Sequence, residues 1–172
     1  MGAESLKAAV VDAGPLIHLS EIGCVQHLRI FKTIHIPNAV WSETIEQARF
    51  WNLDISALGN IQRHTLPDEQ IAQFIRDNGL EKLHAGEVEC LYVCKETGVS
   101  VLLTDDLAVR EAAKRMSLRP VGSLGIVVKA YRAGDISLAD AEGYITDLYD
   151  VSSLFVTRVI VEMAIEQLRN NP

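Results

Sequence analysis

Five carboxylates occupy positions from which they could act together. Asp12 ends a short apolar run, Ala8-Ala9-Val10-Val11, and Asp105 and Asp106 follow another, Val99-Ser100-Val101-Leu102-Leu103-Thr104. A helix-like pattern begins directly after each run. An ionised acid at the exit of a buried strand is costly unless something compensates it. In open α/β sheets ligands bind beyond the carboxyl ends of the strands, and two such exits in one parallel sheet lie on the same edge. Two more acids border apolar helix stripes. Glu43 stands at i+3 from Val40, next to Thr44, and Glu87 shares a face with Cys90, Leu91 and Cys94. Singly, each has a structural role open to it: Asp12, Asp105 or Asp106 as a helix N-cap, Glu87 as a complement to the helix dipole, Glu43 as a solvated residue. Together they form a cluster whose members repel one another and hold protons more tightly. A hard divalent cation relieves that repulsion, and Mg²⁺ or Mn²⁺ prefers oxygen ligands. A site of this kind suits phosphoryl chemistry, in which the ion holds the phosphate, activates water and stabilises the leaving oxygen.

The surrounding pattern supplies elements to carry these acids. Pro15 suits the first turn of a helix after Asp12, and Gly23 ends it. A short helix near Val25–Phe31 and a strand over Thr33–Ile36 follow. Pro37 opens a helix through Phe50, with Val40, Trp41, Thr44, Ile45 and Ala48 inward. Leu53–Asn60 reads as a loop or short helix, Ile61–Thr65 as a strand, and Pro67 starts a helix stopped by Gly79. Glu87 opens a helix that Gly98 ends. Another runs from Asp106 to about Met116, Arg119-Pro120-Val121 is a short edge strand, and Gly122–Ala133 is helical. The tail reads as two helices, Leu138–Tyr149 and one from a Ser152-Ser153 cap to about Arg169. The second is apolar over much of its circumference, which implies docking on the domain or a subunit contact. Strands alternating with helices imply an α/β fold: a parallel β-sheet flanked by helices on both faces, with extra C-terminal helices.

The 172 residues suit one domain with an added helix or two, and 48% are apolar, enough for a sizeable core. No stretch is long and uncharged enough to span a membrane, and the N-terminal apolar run is too short for a signal peptide. Three cysteines without framework spacing fit a reducing compartment, so a soluble, cytoplasmic protein is expected. The net charge of −7 argues against a uniformly basic nucleic-acid coat. The charge is uneven, however. Arg110, Lys114, Arg115, Arg119, Lys129 and Arg132 occur between positions 110 and 132 with Glu111 as the only acid. Arg110, Lys114 and Arg115 are the candidate phosphate contacts; a solvated helix face is the bland alternative.

The blocks VVDAGPLIHL, IPNAVWSET, HAGEVECLYVC and VSVLLTDDLAVREAAKRMSL, with the following VGSLGIVVKAYRAG, resemble in content and order the PIN-domain family, metal-dependent ribonucleases that include VapC-type toxins. The similarity is greatest to a PIN-like branch with the order D-x-x-P-L, P-x-x-V-x-x-E, G-E-x-E and a late D-D. It covers roughly Ala8–Ile136, which divides the chain into a PIN-like domain over 1–136 and a C-terminal helical extension over 137–172. What the resemblance implies is an Mg²⁺- or Mn²⁺-dependent endoribonuclease. Asp12, Glu43, Glu87 and Asp106 are its catalytic acids. Asp12, Glu87, Asp106 and Asp105 hold the metal, and Thr104 supports the site. RNA is then the substrate, with a homodimer and an antitoxin protein as the partners implied. Two departures stand out: Ala13 replaces the Thr or Ser that commonly follows the first Asp, and Glu87 stands where many members have Asp.

The runner-up reading, favoured by Ala13 and the acidic net charge, is a PIN-like module that binds RNA or protein without cutting. Other phosphoryl-transfer folds fit worse: a haloacid-dehalogenase-type phosphatase needs an Asp at the position of Gly14, and a receiver domain needs its acid pair at the first strand. Cys90, Cys94 and His84 read as core residues and a neighbour rather than a zinc site. His18, His27, His35 and His64 have no evident partners. Trp41 and Trp51 suit core or rim positions, with base stacking the functional alternative.

Overall fold

The computed structural model describes residues 6–46 and 55–170. Five parallel strands form one sheet in the order β3-β2-β1-β4-β5, with β1 Leu6–Val11, β2 Phe31–Pro37, β3 Ile61–His64, β4 Val101–Leu103 and β5 Arg119–Val121. Helices cover both faces, as the alternating pattern requires. β1 and β4 are apolar at successive positions because both of their faces are covered. Ala9, Val10, Val11, Leu102 and Leu103 are fully buried.

The helices are α1 Ala13–Glu21, α2 Asn38–Trp41, α3 Asp68–Asn78, α4 Ala85–Thr97, α5 Leu107–Arg115, α6 Ser123–Arg132, α7 Leu138–Asp150 and α8 Arg158–Asn170. α4 packs on β1, β2 and β4, with α2 and α3 beside it, and α6 packs on β5 and α1. α7 and α8 pack on α6 and on each other, so the C-terminal helices dock on the domain. The chain builds β1, β2 and β3 outward on one side of β1, then crosses to add β4 and β5 on the other. The crevice between the exits of β1 and β4 is therefore the point at which strand order reverses, where open α/β sheets place their ligands.

Two elements differ from the sequence expectation. The helix after Pro37 is α-helical only to Trp41, and Ser42–Glu46 widens into a π-helical turn. There the buried Thr44 hydroxyl donates to the Val40 carbonyl oxygen at 2.7 Å, a local bond that competes with regular helix pairing. Ala48 and Trp51 lie outside the described residues, as does the side chain of Ile45. The last helix begins at Arg158, not at the Ser152-Ser153 pair. The Ser152 hydroxyl turns back to the Leu148 carbonyl oxygen at 2.6 Å, and Ser153 is held by Glu21, whose carboxylate accepts its N–H at 2.7 Å and its hydroxyl at 3.0 Å. Residues 152–157 thus lie outside the last helix, tied to the end of α1 through Ser153 and Glu21. The helix opens only after Thr157, whose hydroxyl oxygen lies 3.4 Å from the Ile160 N–H.

α3 and α4 both stop at a left-handed glycine, Gly79 and Gly98, with φ of +64° and +70°. A side chain at Gly98 meets no atom within 4 Å, so the cost of adding one there is conformational. Gly98→Ala is expected to destabilise the protein by about 1 kcal/mol in urea denaturation. Gly143→Ala, in the exposed middle of α7 where a Cβ also meets open space, is expected to stabilise it by about 0.5–1 kcal/mol.

Candidate metal centre

The ends of β1 and β4 are tied at a buried carboxylate. The Asp12 N–H donates to the Leu103 carbonyl oxygen at 2.9 Å, which carries the β1–β4 register one step beyond the strands. Asp12 is 6% exposed. Its Oδ1 accepts the Ala13 N–H at 2.8 Å, and its Oδ2 accepts the hydroxyl of the fully buried Thr104 at 2.9 Å. Where Ala13 offers no hydroxyl, Thr104 supplies one from the neighbouring strand. Burial pushes the Asp12 carboxyl up to about 6; its two hydrogen bonds pull it down, and Glu87 and Glu43 push it further up.

The other acids reach the same crevice from separate elements. Glu87 lies in the first turn of α4, where its Oε2 accepts the His84 N–H at 2.8 Å in a capping box. Its carboxyl is raised mainly by partial burial, with Asp106 and Glu43 adding to the rise. Glu43 rides on the π-helical turn and is exposed. It approaches α4 because position 86 is glycine: a Cβ there would lie 3.2 Å from Val40 Cγ2 and 3.6 Å from Glu43 Oε2. Asp106 caps α5, its Oδ1 accepting the Val109 N–H at 2.9 Å. Among the described residues Glu43, Glu87 Oε1 and Asp106 Oδ2 take no hydrogen bond.

Asp105 is held differently. Its Oδ1 accepts the Ser123 N–H at 2.7 Å, and its Oδ2 meets both the Ser123 hydroxyl at 2.6 Å and His18 Nδ1 at 2.8 Å. It joins the exit of β4 to the start of α6 and to α1. Gly122 makes this possible, since a Cβ there would stand 2.8 Å from Asp105 Oδ1.

A cavity of about 380 Å³ opens at the crevice, and Asp12, Glu43, Glu87, Asp105 and Asp106 all line it with His18 and His84. No lysine or arginine is among its described lining residues. No group of three or more Asp, Glu, His or Cys side chains among the described residues is drawn close enough to hold a metal ion. The donors nonetheless fit one by type: they are carboxylate oxygens, several lone pairs are unused, and Asp12 and Glu87, raised chiefly by burial, are raised a little further by their acidic neighbours.

Arg110 does not enter this cavity. Its Nη1 donates to the Thr104 carbonyl oxygen at 3.2 Å, and its side chain faces an adjoining groove. Lys114 pairs with Glu111 at 2.8 Å, and Arg115 is exposed near the end of α5. Cys90 and Cys94 are buried in the core, the Cys90 thiol facing the Val11 carbonyl oxygen at 3.5 Å, while His84 is exposed at the α4 cap. Trp41 is half-buried beneath Arg63, whose guanidinium carbon lies 4.9 Å from the ring centre.

The histidines found partners that spacing alone did not reveal. His18 meets Asp105, His27 meets Asp135 at 2.5 Å, and His35 meets His64 at 2.8 Å. Of these only His18 reaches the acid cavity. The signal available for it was its place one turn after Gly14 on the helix that follows Asp12.

The sequence model of a PIN-domain family matches residues 8–170. The match runs through the C-terminal helices, further than the blocks quoted above. PIN domains are generally nucleases and typically use divalent metals. No curated protein matches the chain. No described helix is long and apolar enough to cross a membrane.

The raised Asp12 carboxyl has a measurable consequence. Below the ordinary value of 3.8, Asp12 is protonated both folded and unfolded and costs nothing. As pH rises through about 6 the folded state must ionise a buried acid, and stability is lost. The difference is about 3 kcal/mol. In chelator, Asp12→Asn is therefore expected to exceed the parent in stability by an amount of this order at pH 7.5, with the gap closing near pH 4. Urea denaturation across that range measures it, and a pH-independent gap would contradict the assignment.

Proposed function

We propose that this chain, which belongs to the PIN-domain family, is an Mg²⁺- or Mn²⁺-dependent endoribonuclease whose active site is the acid cavity at the β1–β4 crevice. The observation that carries this reading is the convergence of Asp12, Glu43, Glu87 and Asp106, from four separate elements, on one cavity with no lysine or arginine among its described lining residues. Asp12, Glu87 and Asp106 are the residues that would hold the ion, with Glu43 completing the acid set. A bound divalent cation supplies Lewis-acid chemistry, polarising the phosphodiester and lowering the pKa of water.

The chain's own residues do the positioning. Ala13 and Thr104 fix both oxygens of Asp12, so the central carboxylate has one orientation. The capping box and the α5 cap each occupy one oxygen of Glu87 and Asp106 and leave the other unbonded among the described residues. Asp105 we assign to holding His18 and α6 in place, on the strength of its three donors. RNA is the substrate on this reading, and the toxin of a toxin–antitoxin pair is its narrower form. The Thr104 bond to Asp12 favours the enzyme over a non-cutting module, since it restores the hydroxyl support that Ala13 lacks.

Asn keeps the capping ability of Asp at position 106 and the approximate shape at position 12, so both substitutions remove charge and little else. Asp12→Asn and Asp106→Asn are each expected to lower Mn²⁺-dependent cleavage of mixed single-stranded RNAs by roughly 100-fold or more, with circular dichroism unchanged. Cleavage at the parental rate by both variants would overturn the site assignment.

A further inference from the structure

Next to the acid cavity lies a larger groove of about 860 Å³ between the β5 edge, α6 and α8. The two share Asp105, Leu154 and Phe155, so a chain leaving the acids passes directly into the groove. Phe155 is 97% exposed, an unusual position for a large apolar side chain. Its backbone is nonetheless anchored. Glu21 holds Ser153, the Leu154 N–H donates to the Ser152 hydroxyl oxygen at 3.2 Å, and Leu154 packs against the core. The ring is thus presented at the junction of the two cavities on a fixed segment.

The groove is lined mostly by apolar side chains, among them Leu124, Val128, Ile160 and Met163, and its charged members are mainly cations, opposite in sign to the acid cavity. Arg110, Lys129 and Arg132 line it, and Asp105, its one acidic described lining residue, has both oxygens occupied. None of the three cations is in an ion pair among the described residues. Partial burial, with Arg119 and Arg132 adding to it, holds the Lys129 ammonium below its usual value. Cations that find no carboxylate within the fold suit the phosphates of a polyanion, and an exposed aromatic ring suits a base face.

We propose that this groove is a flanking-nucleotide subsite for single-stranded RNA, in which Phe155 stacks a base next to the cleaved linkage and Arg110, Lys129 and Arg132 hold the following phosphates. The inference rests on the nuclease reading of the acid cavity. It makes Phe155 a positioning residue and requires an unpaired strand, because only an unpaired base offers its face to the ring.

The test is fluorescence anisotropy of a short labelled single-stranded RNA of mixed sequence with the whole chain, in chelator so that nothing is cut, beside a cleavage assay in Mn²⁺. Phe155→Ala is expected to weaken binding roughly tenfold, and Phe155→Trp to restore it. The Lys129→Ala, Arg132→Ala double variant is expected to lower the slope of log affinity against log salt by about 1.4. A parent that cleaves RNA in Mn²⁺ while Phe155→Ala binds as tightly as the parent overturns the subsite and leaves the nuclease reading standing. A parent that neither binds nor cleaves RNA overturns both. Unchanged RNA affinity together with a shift in sedimentation from dimer to monomer in Phe155→Ala also overturns the subsite, and assigns the groove to contact between copies of the chain.

Discussion

The structure turns on a carboxylate buried between two strand ends. Asp12 leaves β1 where β4 lies beside it, and the Thr104 hydroxyl bridges the two exits through Asp12 Oδ2. Everything else at the crevice is set relative to that bond. α1 starts from the Asp12 cap, α5 starts from Asp106 two residues beyond Thr104, and α4 packs across β1 and β4 to bring Glu87 over the same edge. A neutral side chain at position 12 would suit burial better. The fold instead holds an acid there, with its proton affinity raised to about 6. That costs stability at neutral pH, and such a cost is expected where a group is kept for chemistry rather than for packing.

The arrangement separates two charge environments by the width of one segment. On one side of Leu154 and Phe155, acids face one another with no lysine or arginine among the described lining residues. On the other, arginine and lysine face a groove whose single described acid is fully occupied. The net charge of −7 conceals this division. On the proposed nuclease reading a polyanion would use both halves, and Asp105 stands at the boundary, holding α1 to α6.

Much of this was legible in the residues. Apolar runs ending in Asp12 and in Thr104–Asp106 placed two strand exits on one edge, the glycines at 79 and 98 marked helix ends, and the α/β class followed from alternation. Contacts between distant segments were harder to read. Asp105 and Asp106 are adjacent and chemically identical, and their different surroundings come from Ser123 and His18, 18 and 87 residues away, for one, and from Val109 for the other. The segment 152–157 looked helical because its apolar residues have suitable spacing, yet it stays outside the last helix, with Ser153 held by Glu21, 132 residues earlier. Apolar periodicity records which residues prefer burial, but not a carboxylate elsewhere that captures a backbone N–H. The π-helical turn under Glu43 was hidden for a similar reason, since the Thr44 bond to the Val40 carbonyl is one of several open to a threonine at that spacing.

The central claim is that these acids form a cation site which Asp12 anchors. Isothermal titration of the whole chain with Mn²⁺ at pH 6, in two buffers of different ionisation enthalpy, tests it most directly. The account predicts saturable binding with net release of protons, because Asp12 is partly protonated near its raised value of about 6, and loss of that binding in Asp12→Asn. Absence of Mn²⁺ binding by the parent, or equal binding by the variant, would contradict it.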